Sequence, residues 1–329
     1  MRTNELLRSY DQTTMSTEKE RLLYKILKNY YEKGLTQQEI ALKYNISRIK
    51  VSRIINKALA DKIVQIKVNL PNDPVSEIEQ KLEEIYGLSE AVVVSVSSKN
   101  PLDELGEAVA DYLSLRIQGN ETIGVTWGRS ILAAVKALPV FNYPNIRIVQ
   151  MLGGLGNADS DTHGTELVIQ MAKAFKARVR ILNSPGIVKS KDICMALLDN
   201  AQITDTLKLA ENADIALVGI GALTNEALIM HESKIIKDEE VKRLIKKGAV
   251  GNIGLRFFDK NGNQIQDEIN ERVVGLNFYQ MKKIPRVIGI AAGTEKHITV
   301  MAALRGKCVN TLITDNQTAK YLISESNKI

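Results

Sequence analysis

Two cysteines in 329 residues, Cys194 and Cys308, are too few and too far apart for a disulfide framework, and neither belongs to a CxxC or Cys/His cluster. Buried free thiols are expected, with no metal and no cofactor. Long apolar runs are missing as well. No stretch approaches the roughly 20 uninterrupted apolar residues of a membrane span, and MRTNELLRSYDQTT lacks the apolar run of a signal peptide. The expectation is a cytoplasmic protein without a membrane partner. Histidine is scarce: His163, His231 and His297 lie in separate segments without partners at catalytic spacing, so each is expected to be structural.

What is present is an ordinary globular balance of 44% apolar and 25% charged residues, over a length that allows two domains. The net charge of +6 is unevenly placed. Residues 1–67 hold fourteen Lys and Arg against seven Asp and Glu, leaving −1 for everything after them. A basic excess confined to one module suits phosphate neutralisation, which a uniformly basic surface would not.

That module reads as three helices. Leu22, Leu23, Ile26, Leu27, Tyr30 and Tyr31 recur at three- and four-residue steps from Glu18 onward, and Gly34 ends the run. Thr36 opens T-Q-Q-E, a capping box with Glu39, leading into a short helix through Ile40, Ala41 and Leu42. After Lys43-Tyr44-Asn45, Ile46 fills the helix crossing and Ser47 caps a third helix, SRIKVSRIINKALADK, with Val51, Ile54, Ile55 and Leu59 as its expected buried stripe. A helix-turn-helix with a cationic second member is the geometry of a DNA reader. Arg48, Lys50, Ser52 and Arg53 are expected near bases; Thr36, Gln37, Lys43 and Lys57 are expected nearer phosphates, with Ser47 at the helix start.

Residues 63–70, IVQIKVNL, read as a short strand before the linker Pro71-Asn72-Asp73-Pro74. Residues 68–90 are expected to be linker plus a charged amphipathic helix, VSEIEQKLEEIYGL, that connects the domains or pairs with a second subunit. Gly87 is its expected stop. From residue 91 to 329, β-rich runs alternate with helical stretches: AVVVSV, ETIGVTW, IRIVQML, RVRILNSP, DIALVGIGA, RVIGIAAG and VNTLITD. This predicts a doubly wound α/β domain.

In such sheets ligands settle at the carboxyl ends of strands, where free helix amides attract anions. GVTWGRSIL places Thr126, Trp127, Gly128, Arg129 and Ser130 at one such end. MLGGLGNADSD offers Gly153, Gly154 and Gly156, either for close approach to a ligand or as ordinary turn glycines. IAAGTEKHITV offers Gly293 and then Lys296, a cation at a helix start that an anion would compensate. Trp127 fits either a sugar ring or the core. No lysine lies between Ile148 and Asp161, which excludes a covalent imine from that glycine-rich loop.

The ordered set GVTWGRS, VQMLGGLG, LNSPGIV, DIALVGIGA, GAVGNIGLRFFDKNG, VIGIAAGTEK and VNTLITDNQTA resembles the sugar-binding domain of the SorC family of transcriptional regulators over about residues 68–325. The resemblance implies an effector domain similar in fold to sugar-phosphate isomerases and glucosamine-phosphate deaminases. It also implies homodimers or homotetramers on palindromic operator DNA. Gly128, Arg129 and Ser130 match the family's phosphate-contacting turn, and Lys296 matches its lysine after the strand end. Asn252 stands where the family tends to carry an acidic residue facing sugar hydroxyls, with Arg256 and Asp259 as nearby candidates.

The resulting expectation is a regulator, not an enzyme, whose affinity for double-stranded operator DNA is set by a sugar or sugar phosphate. An isomerase- or deaminase-like enzyme would explain the pocket but not the first 67 residues. A non-sensing interaction protein would leave the anion-shaped loops unexplained.

Overall fold

A computed structural model of the chain describes residues 18–66, 74–96, 101–154, 164–223 and 236–326. Its contacts separate two units, one up to residue 72 and one from residue 73.

Among its described residues, the first unit is three helices around a small core. Helix α1 (Glu18–Tyr31) contributes Ile26 and Leu27, α2 (Gln37–Tyr44) contributes Ile40 and Ala41, and α3 (Arg48–Ala60) contributes Val51, Ile55 and Ala58. Leu59, expected in the buried stripe, is 38% exposed, because the helix phase set by Val51 and Ile55 brings Ala58 inward instead. The capping box forms as its spacing predicts: the Glu39 amide donates to the Thr36 hydroxyl and the Thr36 amide to the Glu39 carboxylate. Asn45, at φ 51°, closes α2, and the Ser47 hydroxyl accepts from the Lys50 amide at 3.2 Å to start α3. Each such cap stabilises by about 1 kcal/mol. Residues 63–66 form no strand, contrary to expectation, and residues 67–70 lie outside the described residues.

The second unit begins with α4 (Pro74–Tyr86), which ends at Gly87 in the left-handed region, φ 66°. This helix packs into the core of its unit: Leu82 is fully buried, and the Tyr86 hydroxyl donates at 2.9 Å to the carbonyl of Leu322 in the helix Asn316–Ser326. The elements after it are β1 (Glu90–Val94), α5 (Pro101–Arg116), β2 (Thr122–Val125), α6 (Arg129–Ala137), β3 (Arg147–Gln150), α7 (Gly164–Phe175) and β4 (Arg178–Arg180). There follow α8 (Lys191–Leu198), α9 (Ala201–Glu211), β5 (Ile215–Ala222), α10 (Asp238–Lys246), β6 (Ala249–Ile253) and β7 (Arg256–Asp259). The last are α11 (Glu268–Glu271), α12 (Phe278–Met281), β8 (Arg286–Ala291), a 3₁₀ turn (Thr294–Lys296), α13 (His297–Arg305), β9 (Thr311–Asp315) and α14 (Asn316–Ser326).

Among the described residues, seven strands form a parallel sheet in the order β1-β9-β8-β5-β2-β3-β4. Alternate residues feed two cores. Ile123, Val125, Ile215 and Leu217 pack toward α5, α6 and α7, while Val149, Ala216, Val218 and Val287 pack toward α4, α9, α13 and α14. Burying each of the valines, leucines and isoleucines among them is worth roughly 1.5–3 kcal/mol before entropy is counted. The seven strand runs read from the sequence are these seven strands. An antiparallel hairpin, β6–β7, not expected from the sequence, pairs with the far end of β5 at Ile220–Ala222.

From β2 the chain winds outward through β3 and β4; from β5 it winds the other way through β8 and β9. The reversal therefore lies between β2 and β5, and their carboxyl ends are where this topology opens a crevice.

Candidate functional site

A cleft lies at that reversal. It is open to solvent on one side and holds about 730 Å³ of empty space counted out to that mouth. Trp127, Gly128, Arg129 and Ser130 from the end of β2 form one wall, Gly219–Ala222 of β5 another, Asn252, Gly254 and Leu255 of the hairpin a third, and Glu295 and Lys296 a fourth.

Gly128 is the N-cap of α6 at φ 149°, a conformation that favours glycine, and no side chain caps the helix. The first amides of α6 thus point out uncapped beside an exposed guanidinium, Arg129, and a buried hydroxyl, Ser130. Lys296 reaches the same place from the other half of the fold, with its Nζ 3.5 Å from Ser130 Oγ. Burial pushes the Lys296 pKa down and the nearby Arg129 adds to this, while Glu295 and Asp315 act in the opposite direction. Among the described residues, neither cation lies within ion-pair distance of a carboxylate. An anion placed here would meet two positive groups, a hydroxyl and a helix N-terminus.

The turn that carries Lys296 is held from below. Asp315 accepts from the Gly293 amide at 2.8 Å, from the Thr318 hydroxyl at 2.6 Å and from the Gln317 and Thr318 amides. Burial alone would raise the Asp315 pKa; these hydrogen bonds outweigh it and keep the carboxyl below its ordinary value. Thr126 sits under the cleft, donating to the Leu217 carbonyl and accepting from the Gly219 amide, each at 3.4 Å.

In the N-terminal unit, Arg48, Lys50, Arg53 and Lys57 are exposed on α3 and Ser52 is half-buried. Thr36 and Lys43 are exposed and Gln37 is half-buried around α2. Lys43 donates to Asn29 at 3.4 Å, and the buried Asn29 amide donates to Tyr44 at 2.7 Å, which ties the end of α2 to α1.

A family model described as "Putative sugar-binding domain" matches residues 72–324, and one described as "Sigma-70, region 4" matches residues 17–61. The chain is 31% identical over 314 residues to the deoxyribonucleoside regulator of Bacillus subtilis, covering 94% of this chain and 100% of that one. It is 28% identical over 309 residues to the sorbitol operon regulator of Klebsiella pneumoniae, covering 92% and 98%. The crystal structure of that full-length regulator, SorC, superposes with a TM-score of 0.71 over 93% of this chain and 100% of that one, at 28% identity. The chain belongs to the SorC family of transcriptional regulators. It is a DNA-binding regulator with a sugar-binding effector domain, and its relatives are regulators, not enzymes.

In this SorC-family regulator, the sequence-expected residues separate into those that face the cleft and those that build it. Trp127, Gly128, Arg129, Ser130, Asn252 and Lys296 line it. Trp127 is in the core, 8% exposed, with its indole N–H donating to the Gly153 carbonyl at 2.9 Å, and one side of it borders the cleft. Gly153 and Gly154 do not offer amides to a ligand, since these donate to Val274 and Ser184 at 3.0 and 2.9 Å. Gly153 needs to be glycine because a Cβ there would stand 2.4 Å from the Pro185 carbonyl oxygen. Gly156, His163 and His231 lie outside the described residues.

Arg256 is a correction. It is 7% exposed and its guanidinium donates to the carbonyls of Asn270, Val273, Gly275 and Leu276, so it clamps residues 270–276 and does not line the cleft. Burial pushes its pKa down to about 10. Asp259 accepts from the amides of Asn261 and Asn263 in the turn after β7 and is also outside the cleft. His297 stacks on Tyr321 with ring centroids 4.4 Å apart, in a structural position.

Leu255 is a cleft residue that was not among those expected from the sequence. It is 2% exposed, lines the cleft and adopts φ 60° at the hairpin tip beside Gly254 at φ 56°. A bulky residue in the left-handed region is strained, which is common where a side chain is aimed at a ligand. Gly254 was the available signal for a turn; nothing local marks Leu255 as the second left-handed residue.

Proposed function

We propose that this regulator senses a sugar phosphate in the cleft and transmits its occupancy to operator DNA held by α3. The phosphate sits at the uncapped start of α6, against Arg129, Ser130 and Lys296. Trp127 and Leu255 flank the sugar, and Asn252 serves its hydroxyls with an amide that both donates and accepts. The names of the relatives, a deoxyribonucleoside regulator and a sorbitol operon regulator, support small polyols and pentose or hexose derivatives as the effector class. The observation that carries the reading is the approach of Lys296 to Ser130 at 3.5 Å.

On the DNA side, Arg48, Lys50, Ser52 and Arg53 contact bases. Ser47, Thr36, Gln37, Lys43 and Lys57 contact or orient toward phosphates. The active form is a homodimer or homotetramer, because a palindromic operator needs two recognition helices at fixed spacing. Effector binding shifts the arrangement of subunits and with it that spacing.

A thermal-shift screen of the full chain against pentose, deoxypentose, hexose and hexitol phosphates, each beside its unphosphorylated counterpart, tests the reading. A ligand of the native state raises the melting temperature. A phosphorylated member is expected to do so where its counterpart does not; a uniform absence of shifts, or turnover of any of these compounds at enzymatic rates, would contradict the reading.

A further inference from the structure

Helix α3 fixes its inward direction with Val51, Ile55 and Ala58, all within 3% of full burial. At about 100° per residue, the direction opposite belongs to Ile49, Arg53, Asn56 and Ala60, a ridge at i, i+4, i+7 and i+11. Ile49 is 66% exposed and stands among the exposed cations Arg48, Lys50 and Arg53. It takes no part in the core of its unit. The most basic helix among the described residues therefore presents one large aliphatic side chain at its second position, on its outermost ridge, one turn before an arginine.

An isoleucine there leaves apolar surface in water and stabilises nothing in the unbound unit. The start of a recognition helix is the part that reaches furthest into a major groove. Along that groove, base-pair edges present hydrogen-bonding groups and one apolar group, the C5-methyl of thymine. Leu42, which is 75% exposed on α2, does not share this placement, because the first helix of the motif crosses the sugar-phosphate backbone.

We propose that Ile49 is a specificity-determining residue that reads thymine by packing on its C5-methyl in the major groove, beside the base contacted by Arg53. This rests on α3 being the recognition helix. The contact gives each operator half-site a preference for a base that the polar residues of the helix do not distinguish by methyl contact.

The test uses the full chain and a duplex that it selects from random sequence. Each thymine of a half-site is replaced in turn by deoxyuridine, which removes the methyl and keeps every hydrogen-bonding group. One position is expected to cost wild type about three- to tenfold in affinity. Ile49→Ala is expected to lose a similar factor on the thymine duplex, to be indifferent to uracil at that position, and to keep the wild-type salt dependence because isoleucine neutralises no phosphate. Ile49→Val is expected to retain part of the thymine preference. As the side chain is exposed, all variants are expected to melt with wild type. If no uracil substitution affects wild type, or if Ile49→Ala keeps the uracil penalty, the assignment of Ile49 is overturned. Arg53→Ala separates the two levels: if it binds the selected duplex like wild type, α3 is not the reader and the proposal falls with it; if it weakens binding while the Ile49 and uracil tests are silent, Ile49 alone is misassigned.

Discussion

The indole N–H of Trp127 donates to the carbonyl of Gly153 across 2.9 Å, joining the end of β2 to the turn after β3. The bond aims the only tryptophan of the chain along the wall of the cleft. Trp127→Phe keeps an aromatic ring but leaves that buried acceptor unpaired, at an expected cost of about 1–3 kcal/mol. Gly153→Ala is expected to cost more, since a Cβ 2.4 Å from Pro185 O requires two backbone segments to separate. Urea unfolding followed by circular dichroism checks both; equal stability of either variant with wild type would show that the turn is not held in this way.

Asp267 provides a pH-dependent element outside the cleft. Its side chain is 1% exposed and is bridged by Arg243 through two 2.9 Å hydrogen bonds and by Lys247 at 2.9 Å. Arg243 first of all, with Lys247 and the Ile269 amide, holds the carboxyl well below the usual carboxylate range against the effect of burial. A depressed folded-state pKa contributes stability that is present above the unfolded value, near 4, and is lost as pH falls toward the folded value. Asp267→Asn is therefore expected to lower stability by about 2–3 kcal/mol at pH 7, less than for a fully buried pair because Arg243 is partly in water. The difference from wild type is expected to narrow below about pH 4. Melting temperatures of both proteins from pH 7 down to pH 3 measure it, and a gap that widens on acidification would contradict the assignment.

How much of this was legible in the sequence differs between neighbouring residues. The seven parallel strands are short β-rich runs between helices, and each was readable locally. That Arg129 and Lys296 come to line one cleft was readable too, because both stand where a strand end meets a helix start. Arg256 was not, since its four carbonyl partners belong to a segment brought beside it only by the folded chain. The β6–β7 hairpin was hidden for a related reason: GAVGNIGLRFFD lacks clean alternation, and its strand character comes from pairing with an extension of β5. Leu59 and Ala58 differ by one helical position, and periodicity alone does not fix the phase that closely.

Both cysteines are expected to be inert in the native protein. Cys194 and Cys308 are each 2% exposed, with Sγ donating to the Val273 and Gly262 carbonyls. Burial pushes both thiols up, away from the reactive thiolate. A chromogenic disulfide reagent is expected to titrate no thiol from either residue until denaturant is added, and then two. Rapid labelling of the native chain would contradict the packing around one of them.

Under the proposed function, Lys296 and the start of α6 hold the phosphate of a sugar effector, and Trp127, which borders the same cleft, is an intrinsic reporter. The decisive measurement is a tryptophan fluorescence titration of wild type and Lys296→Ala with the best sugar phosphate from the screen and with the same sugar unphosphorylated. Saturable binding of the phosphorylated form is expected, with a loss of about ten- to a hundredfold in Lys296→Ala, the range of one charge-assisted hydrogen bond. Equal affinity for the unphosphorylated sugar, or an unchanged affinity in Lys296→Ala, would contradict it.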